Sequence, residues 1–278
     1  LRVEELELEA PKAGEVRVRL VSAGVCHSDL HVVDGGWRHH TPIVLGHEGA
    51  GVIVEVGAGV TEVAAGDHVI VSWMPSCGAC RQCAAGRPWL CEPALEAMET
   101  DSLFDGTTRL RRADGTAVHQ YLAAGVFAEE AVIPAGGAVK IRDDAPLESV
   151  SIVGCAVATG FGAVVNTARV ERGSRVAVLG LGAVGLSAVQ GAVHAGARSV
   201  VAIDVAEWKL DLARRLGATE VVDAGAGDPV AAVGELCGGA DYAFECAGLA
   251  ETAEQAVAML DTHGAAVIVG QTKDGATA

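Results

Sequence analysis

Aromatic residues make up only 4% of the sequence, and Ala, Val and Gly dominate instead. Small side chains of this kind suit strands and helices packed closely in an α/β sheet. Basic residues are scarce as well: 20 Lys and Arg stand against 36 Asp and Glu, a formal net charge of −16. Such an acidic surface repels phosphate backbones and anionic lipid, which argues against nucleic acid and membrane surfaces as partners. No apolar run is long enough to cross a bilayer, and no basic, apolar, small-residue leader opens the sequence, so a cytoplasmic location is expected. Only 20% of residues are charged while half are hydrophobic, which excludes a disordered chain. At 278 residues the chain exceeds what one hydrophobic core usually serves, and two domains are expected.

What is present is cysteine, unevenly spaced: Cys26, Cys77, Cys80, Cys83, Cys91, Cys155, Cys237 and Cys246. In a chain with a cytoplasmic expectation, metal binding is favoured over disulfides. The sequence is organised around Cys26 to Glu48, which opens C-H-S-D-L-H and closes G-H-E-G-A-G. Taken singly, Cys26, His27 and His31 read as a buried thiol and two surface imidazoles. Together with His47 they offer the thiolate and neutral imidazole that zinc prefers, and a catalytic zinc needs a third protein ligand from elsewhere in the chain. Asp29 and Glu48 are natural carboxylate partners for a zinc-bound imidazole. Cys77, Cys80, Cys83 and Cys91 form C-x2-C-x2-C-x7-C, and four thiolates so spaced can close a tetrahedron around zinc with no vacancy. An iron–sulfur cluster is the alternative for that spacing. A nucleic-acid zinc ribbon fails on charge, since Arg81 and Arg87 are the only basic residues between the outer cysteines. Cys237 and Cys246 read as small buried hydrophobes.

Period-two alternation predicts half-buried strands over Leu1 to Glu9 and Gly14 to Val21. The chain starts without Met and in strand-like sequence, as expected of an excerpt lacking earlier strands or of a processed product. Glycine-separated apolar runs at Gly49 to Val60 and Gly66 to Val71 predict a small β-barrel. Glu92 to Ala124 reads as loops and short hairpins, Phe127 to Ile141 as strand, and Pro146 to Val170 as helical, with Thr159 and Gly160 one turn beyond Cys155.

The second half changes character. Arg175 to Gly180 reads as a buried strand, followed by G-L-G-A-V-G over Gly180 to Gly185 (Gly180, Gly182, Ala183, Val184, Gly185) and a helix through His194. The next strand, Ser199 to Ile203, ends in Asp204. A glycine turn between strand and helix lets backbone approach a pyrophosphate at a helix N-terminus, and Asp204 can accept from a ribose hydroxyl while repelling a 2′-phosphate. NAD is therefore favoured over NADP. The alternative is a glycine-rich helix start with no nucleotide. Further strands are predicted at Glu220 to Val222, Asp241 to Cys246 and Ala265 to Gly270, with helices at Trp208 to Leu216 and Glu251 to Leu260. That makes five strands where the dinucleotide fold has six.

These motifs together resemble the zinc-dependent medium-chain alcohol dehydrogenase family, over essentially the whole chain. The resemblance implies an α/β protein: a GroES-like, mainly β catalytic domain over 1–155, with a structural zinc lobe at 77–91, and a Rossmann NAD-binding domain over 156–278 that lacks its sixth strand. It implies two zinc ions per chain. Cys26, His47 and Cys155 would hold the catalytic one with Glu48 beside it, and the four lobe cysteines the structural one. Ser28 and His31 match the two ends of the family's proton relay, Thr159 its threonine on the nicotinamide, Asp204 and Lys209 its adenosine-ribose residues, and Gly270 its cofactor cleft. His27 stands where many members carry Arg at the pyrophosphate, and Trp37 and Trp73 fall where the family lines its substrate pocket. H-E-G-A-G, the cysteine lobe and A-V-N-T-A are similar to class III-like and actinobacterial-type members, which act on primary alcohols or thiol adducts of formaldehyde.

The expected reaction is hydride transfer between an alcohol, primary by that likeness, and NAD. Ser28 would accept the hydroxyl proton and pass it through the cofactor ribose towards His31 and solvent. The alternatives are a zinc-binding remnant without turnover, or a polyol, amino-alcohol or thiol-adduct dehydrogenase of the same family. Partners are expected to be the small alcohol or aldehyde, with a homo-oligomer for the full-length form, since family members commonly pair through the strand this chain lacks.

Overall fold

Alternating apolar and charged residues give the first unit, Leu1–Cys155, its strands in the computed structural model, which describes residues 1–272. In chain order they are β1 (Glu7–Leu8), β2 (Glu15–Gly24), β3 (Ile43–Val44), β4 (Glu48–Val56), β5 (His68–Val71), β6 (Leu110–Arg111), β7 (Ala117–Gln120), β8 (Glu130–Pro134) and β9 (Ala138–Lys140). An antiparallel sheet runs β8-β2-β4-β5-β9, and a smaller sheet runs β1-β6-β7-β3. Pairing of β2 with β4 shifts register twice, between Arg17 and Val18 and between Leu20 and Ser22, the kind of irregularity that bends a strand. Val16, Val18, Ile53, Val69, Val71 and Ile133 fill the core that the larger sheet covers.

Three helices interrupt these strands: α1 (His27–Val33), α2 (Arg81–Ala84) and α3 (Glu92–Thr100). The last corrects the expectation of loops and short hairpins over Glu92 to Ala124, where β6 and β7 do form a hairpin but a helix precedes them. Pro93 lies in its first turn, where a missing N–H does no harm, and Ala94 and Ala97 bury one face. The stretch is too polar to signal a helix by apolar periodicity. The predicted strand over Leu1 to Glu9 shrinks to Glu7–Leu8, the part that pairs with a strand, and Leu1 and Val3 are fully exposed. Phe127 to Ile141 divides into β8 and β9 at Gly136, where a Cβ would sit 1.9 Å from the Ser76 carbonyl oxygen.

The second unit, Ala156–Ala278, begins with α4 (Ala156–Gly162), which continues as a wider turn over Ala163–Ala168. A parallel sheet follows: β10 (Arg175–Leu179), β11 (Ser199–Asp204), β12 (Glu220–Asp223), β13 (Ala240–Glu245) and β14 (Leu260–Ile268), in the order β12-β11-β10-β13-β14. Between them run α5 (Ala183–Ala195), α6 (Glu207–Arg215), α7 (Pro229–Cys237) and α8 (Ala250–Ala258). Alternate residues of the central strands enter opposite cores. Val176, Val178, Val200 and Ala202 pack on one face, and Ala177, Leu179, Val201 and Ile203 on the other. Both faces are buried, so the strands read as continuous apolar runs.

The helix α7 was not predicted, although its punctuation is in the sequence. Asp228 caps it by accepting from the Val230 N–H at 2.9 Å, Pro229 opens it, and Gly238 ends it at a φ of 77°. Among the described residues, no helix is long and apolar enough to cross a membrane.

Candidate active site

The first metal-competent cluster forms where three turns of the first unit converge. Cys26 precedes α1, His47 and Glu48 lead into β4, and Cys155 follows a short 3-10 turn at Ser151–Gly154. One donor atom from each of these four side chains lies within 4.8 Å of all the others. His47 and Glu48 are both 1% exposed. Gly24 makes room for the carboxylate, because a Cβ there would sit 2.1 Å from Glu48 Oε2.

Asp29 braces the cluster from behind. Its Oδ2 accepts from the Cys26 N–H at 3.1 Å, and its Oδ1 accepts from the Gly46 N–H at 3.0 Å and lies 3.3 Å from His47 Nδ1. A proton on Nδ1 would satisfy that contact and leave Nε2 as the nitrogen that could hold a metal. The Cys26 thiol is held far below its ordinary value, first by hydrogen bonding with Cys155, then by His47 and Ser28, against the opposing effect of burial. Burial also works against the charged form of His47, which lowers it, but Asp29 and Cys26 outweigh this and raise the imidazole to about 9. Without an ion the pair is therefore a thiolate beside an imidazolium; zinc would displace the ring proton, and two thiols with one histidine are donors it prefers, so these residues fit the ion. Tyr121 packs edge-on against His47 at 5.5 Å, and its hydroxyl is pushed up by burial and by the Asp29 and Cys26 charges.

Ser28 Oγ lies 3.5 Å from Cys26 Sγ, at the rim of the cluster. His31 is only 6% exposed, between the rings of His27 and Trp37, each centred 4.8 Å away. Its Nδ1 is buried without a hydrogen-bond partner, while His27 itself is exposed. Sequence reading passed over a second set of contacts nearby. His39 Nδ1 and His40 Nδ1 lie 2.7 and 3.1 Å from the buried Asp101 carboxylate, which also accepts from the His40 N–H at 2.8 Å. Asp101 sits in a left-handed conformation just after α3, so its role depends on a helix that the sequence did not announce.

The second cluster is Cys77, Cys80, Cys83 and Cys91, again with sulfurs mutually within 4.8 Å. All eight cysteines are free, and the 4.0 Å between Cys77 Sγ and Cys83 Sγ is twice a disulfide bond length. Backbone N–H groups point at the sulfurs: Cys77 N–H at Cys91 (3.2 Å), Cys80 N–H at Cys77 (3.2 Å) and Cys83 N–H at Cys80 (3.5 Å). Those of Cys83 and Glu92 hold Cys80 down at about 6. Burial pushes Cys91 up to about 12 without a metal. Four sulfurs with no open corner suit an ion that supports the fold.

In the second unit, Gly180 adopts a φ of 84°, and Gly182 caps α5, whose first residues are Ala183 and Val184. A Cβ at Gly185 would lie 1.8 Å from the Gly180 carbonyl oxygen, so glycine alone allows this tight strand-to-helix turn. Asp204, at the end of β11, accepts at Oδ2 from the Leu181 N–H (2.7 Å) and at Oδ1 from the N–H groups of Val205 and Ala206 (2.9 and 3.0 Å). Lys209 Nζ lies 3.2 Å from Oδ2. Burial opposes ionisation, yet these donors hold the carboxyl below the usual carboxylate range. The pattern is that of a dinucleotide fold at the carboxyl ends of its strands.

Residues 12–143 match the alcohol dehydrogenase GroES-like domain, and residues 183–277 match the zinc-binding dehydrogenase domain. The class-3 alcohol dehydrogenase of Cereibacter sphaeroides is 38% identical over 99% of this chain and 76% of that protein. The chain belongs to the zinc-dependent medium-chain alcohol dehydrogenase family. Among solved structures, the alcohol dehydrogenase zinc-binding domain protein of Burkholderia ambifaria matches with a TM-score of 0.93 at 40% identity, over all of this chain and 75% of that one. Benzyl alcohol dehydrogenase of Acinetobacter calcoaceticus matches with a TM-score of 0.88 at 36% identity, with the same coverage. The GroES-like β domain and the parallel five-stranded Rossmann sheet are those of this family.

The remaining family positions fall as follows. Thr159 lies in α4, whose next residue, Gly160, is so close to α5 that a Cβ would sit 2.0 Å from the Val184 carbonyl oxygen. Gly270 lies against the turn after β13, where a Cβ would be 2.3 Å from the Gly248 nitrogen. Glu245, which sequence reading did not single out, organises that turn: its Oε1 accepts from the Ala247 and Gly248 N–H groups and from Thr252 Oγ1. The signal for it was an acidic residue closing an otherwise apolar strand, F-E-C-A-G. Cys246 beside it and Cys237 are half-buried where the sequence suggested fully buried thiols; the surrounding apolar side chains push the Cys246 thiol up, while Cys237 Sγ donates to the Val233 carbonyl within α7.

Proposed function

We propose that this chain oxidises a primary alcohol to its aldehyde with NAD, and reduces the aldehyde by the same parts. The observation that carries the reading is the convergence of two thiols, an imidazole and a carboxylate at Cys26, Cys155, His47 and Glu48, braced by Asp29. Cys26, His47 and Cys155 would hold the catalytic zinc, with Glu48 beside it, and Cys77, Cys80, Cys83 and Cys91 a structural zinc. The catalytic zinc, when bound, supplies a Lewis acid that lowers the pKa of an alcohol hydroxyl.

The residues of the chain do the rest. Asp29 fixes the tautomer of His47 and the position of the Cys26 backbone. Ser28 Oγ, at the rim of the cluster, takes the hydroxyl proton, and His31 is the base that receives it further out. The Nδ1 of His31 is buried with no hydrogen-bond partner among the described residues, so none of them competes for it. The Gly180 to Gly185 turn binds pyrophosphate with backbone N–H groups at the start of α5, with His27 as a further phosphate contact. Asp204 and Lys209 hold the adenosine ribose, and the negative charge of Asp204 selects NAD over NADP. Thr159 and Gly270 complete the cofactor contacts. The likeness to benzyl alcohol dehydrogenase supports a primary alcohol, and the likeness to class-3 enzymes brings hydroxymethyl thiol adducts into the same substrate class.

Zinc analysis combined with NADH formation tests this. Two zinc per chain and NADH production from ethanol or benzyl alcohol are expected, with Cys155→Ala losing turnover and one zinc while remaining folded. A Cys155→Ala protein with near-normal rate would overturn the ligand assignment, and zinc binding without any turnover would overturn the activity. Parallel assays with formaldehyde, with and without glutathione, separate the free alcohol from the thiol adduct.

A further inference from the structure

Beside the Asp204 carboxylate stands a tryptophan that the proposed function leaves unused. Trp208 occupies the first turn of α6 and is 66% exposed, and Val205, directly after Asp204, is 71% exposed. Single exposed apolar residues are ordinary, but the placement of these two is specific. Lys209 Nζ is 3.2 Å from Asp204 Oδ2 and 5.8 Å from the centre of the Trp208 ring, so the ring lies next to the carboxylate. The same Oδ2 accepts from the Leu181 N–H, inside the glycine turn. Glycine turn, carboxylate, ammonium and indole therefore form one continuous series of contacts within the second unit.

On the reading that the turn holds pyrophosphate and Asp204 the adenosine ribose, the order along the cofactor is pyrophosphate, ribose, base. The base would then extend past Asp204, beside which the exposed Val205 and Trp208 stand. We propose that Trp208 stacks on the adenine of the dinucleotide, with Lys209 steadying the indole by its charge, and that this contact sets the affinity for the base end of the cofactor. This inference rests on the proposed placement of the ribose on Asp204 and goes one residue beyond it.

Calorimetric titration of the full chain with AMP, NADH and nicotinamide mononucleotide tests it, using Trp208→Ala, Trp208→Phe and Asp204→Ala. Base–aromatic stacking lost to alanine corresponds to roughly 5- to 150-fold in affinity, and about tenfold is expected at an open site. Trp208→Ala should weaken AMP and NADH alike, leave nicotinamide mononucleotide unchanged, and be largely rescued by Trp208→Phe. AMP should quench tryptophan emission in the parent chain more than in Trp208→Phe. Parent-like AMP binding by Trp208→Ala, with Asp204→Ala weakened, overturns the stacking and leaves the ribose assignment standing. Parent-like binding by Asp204→Ala, or no binding of AMP and NADH by the parent chain, overturns both.

Discussion

Replacing Asp29 with Asn isolates the support behind the catalytic cluster from the cluster itself. The carboxylate receives three donors: Cys26 N–H at 3.1 Å, Gly46 N–H at 3.0 Å and His47 Nδ1 at 3.3 Å. An asparagine amide has one oxygen and one NH2, so whichever way it turns, the NH2 faces at least one N–H that the carboxylate had satisfied. The surviving contacts also change from charge-assisted bonds, worth about 1.5–3 kcal/mol, to neutral ones of about 0.5–1.5 kcal/mol. A loss of roughly 1.4–2.7 kcal/mol follows, which is about 10- to 100-fold in zinc affinity, the usual effect of removing such a partner. The assay is zinc retention against increasing chelator, and the four-cysteine lobe serves as the internal control, because Asp29 is not among the donors to its sulfurs. Asp29→Asn should surrender one zinc at a lower chelator concentration than the parent and hold the other unchanged. Retention of both ions at the parent level, or loss of both together, would refute the reasoning.

Arg109 is fully buried, with its guanidinium on Glu15, Asp105 and the Thr108 carbonyl, so Arg109→Met should lower stability by about 3–5 kcal/mol in urea melts by leaving the buried Glu15 carboxylate without its counter-charge and with only the Lys12 N–H. Adding Glu15→Gln should recover much of that loss. Cys80→Ala should release the lobe zinc and lower the melting temperature, since a structural ion contributes folding energy directly, and zinc content with calorimetry checks it. Gly185→Ala places a Cβ 1.8 Å from the Gly180 carbonyl oxygen and should abolish NADH binding while circular dichroism still reports a folded protein. The depressed carboxyl of Asp204 contributes stability that is complete above its ordinary range near 3.9 and is lost as pH falls through its lower folded value. Asp204→Asn should therefore flatten the acid side of the stability profile and leave no difference in slope at neutral pH.

The family was legible before any coordinates because its chemistry is written locally. C-x2-C-x2-C-x7-C, G-L-G-A-V-G with Asp204 at the end of the next strand, and C-H-S-D with G-H-E-G are each short motifs, single or paired within about one strand–helix–strand length of sequence. Alternation predicted β2 for the same reason, since side chains two residues apart share a face whatever lies around them, and glycine-bounded apolar runs predicted β4. Where an element depended on its surroundings, the sequence said less. The pattern of Leu1 to Glu9 found a pairing partner only at Leu110 and Arg111, and α3 was hidden because its two buried alanines carry little hydrophobic signal.

Tertiary structure alone decided which carboxylate does what. Asp29 and Glu48 looked alike in sequence, yet folding turned Asp29 onto His47 Nδ1 and brought Glu48 among the donor atoms themselves, with Gly24 vacating the space. It likewise buried His31 between His27 and Trp37, and joined Arg109 to Glu15 across 94 residues. Residue types and spacings fix what chemistry is available, because bonding preferences belong to the side chain. Burial and contacts between distant segments exist only once the chain has closed on itself, and they determine which of those groups is charged, oriented and within reach.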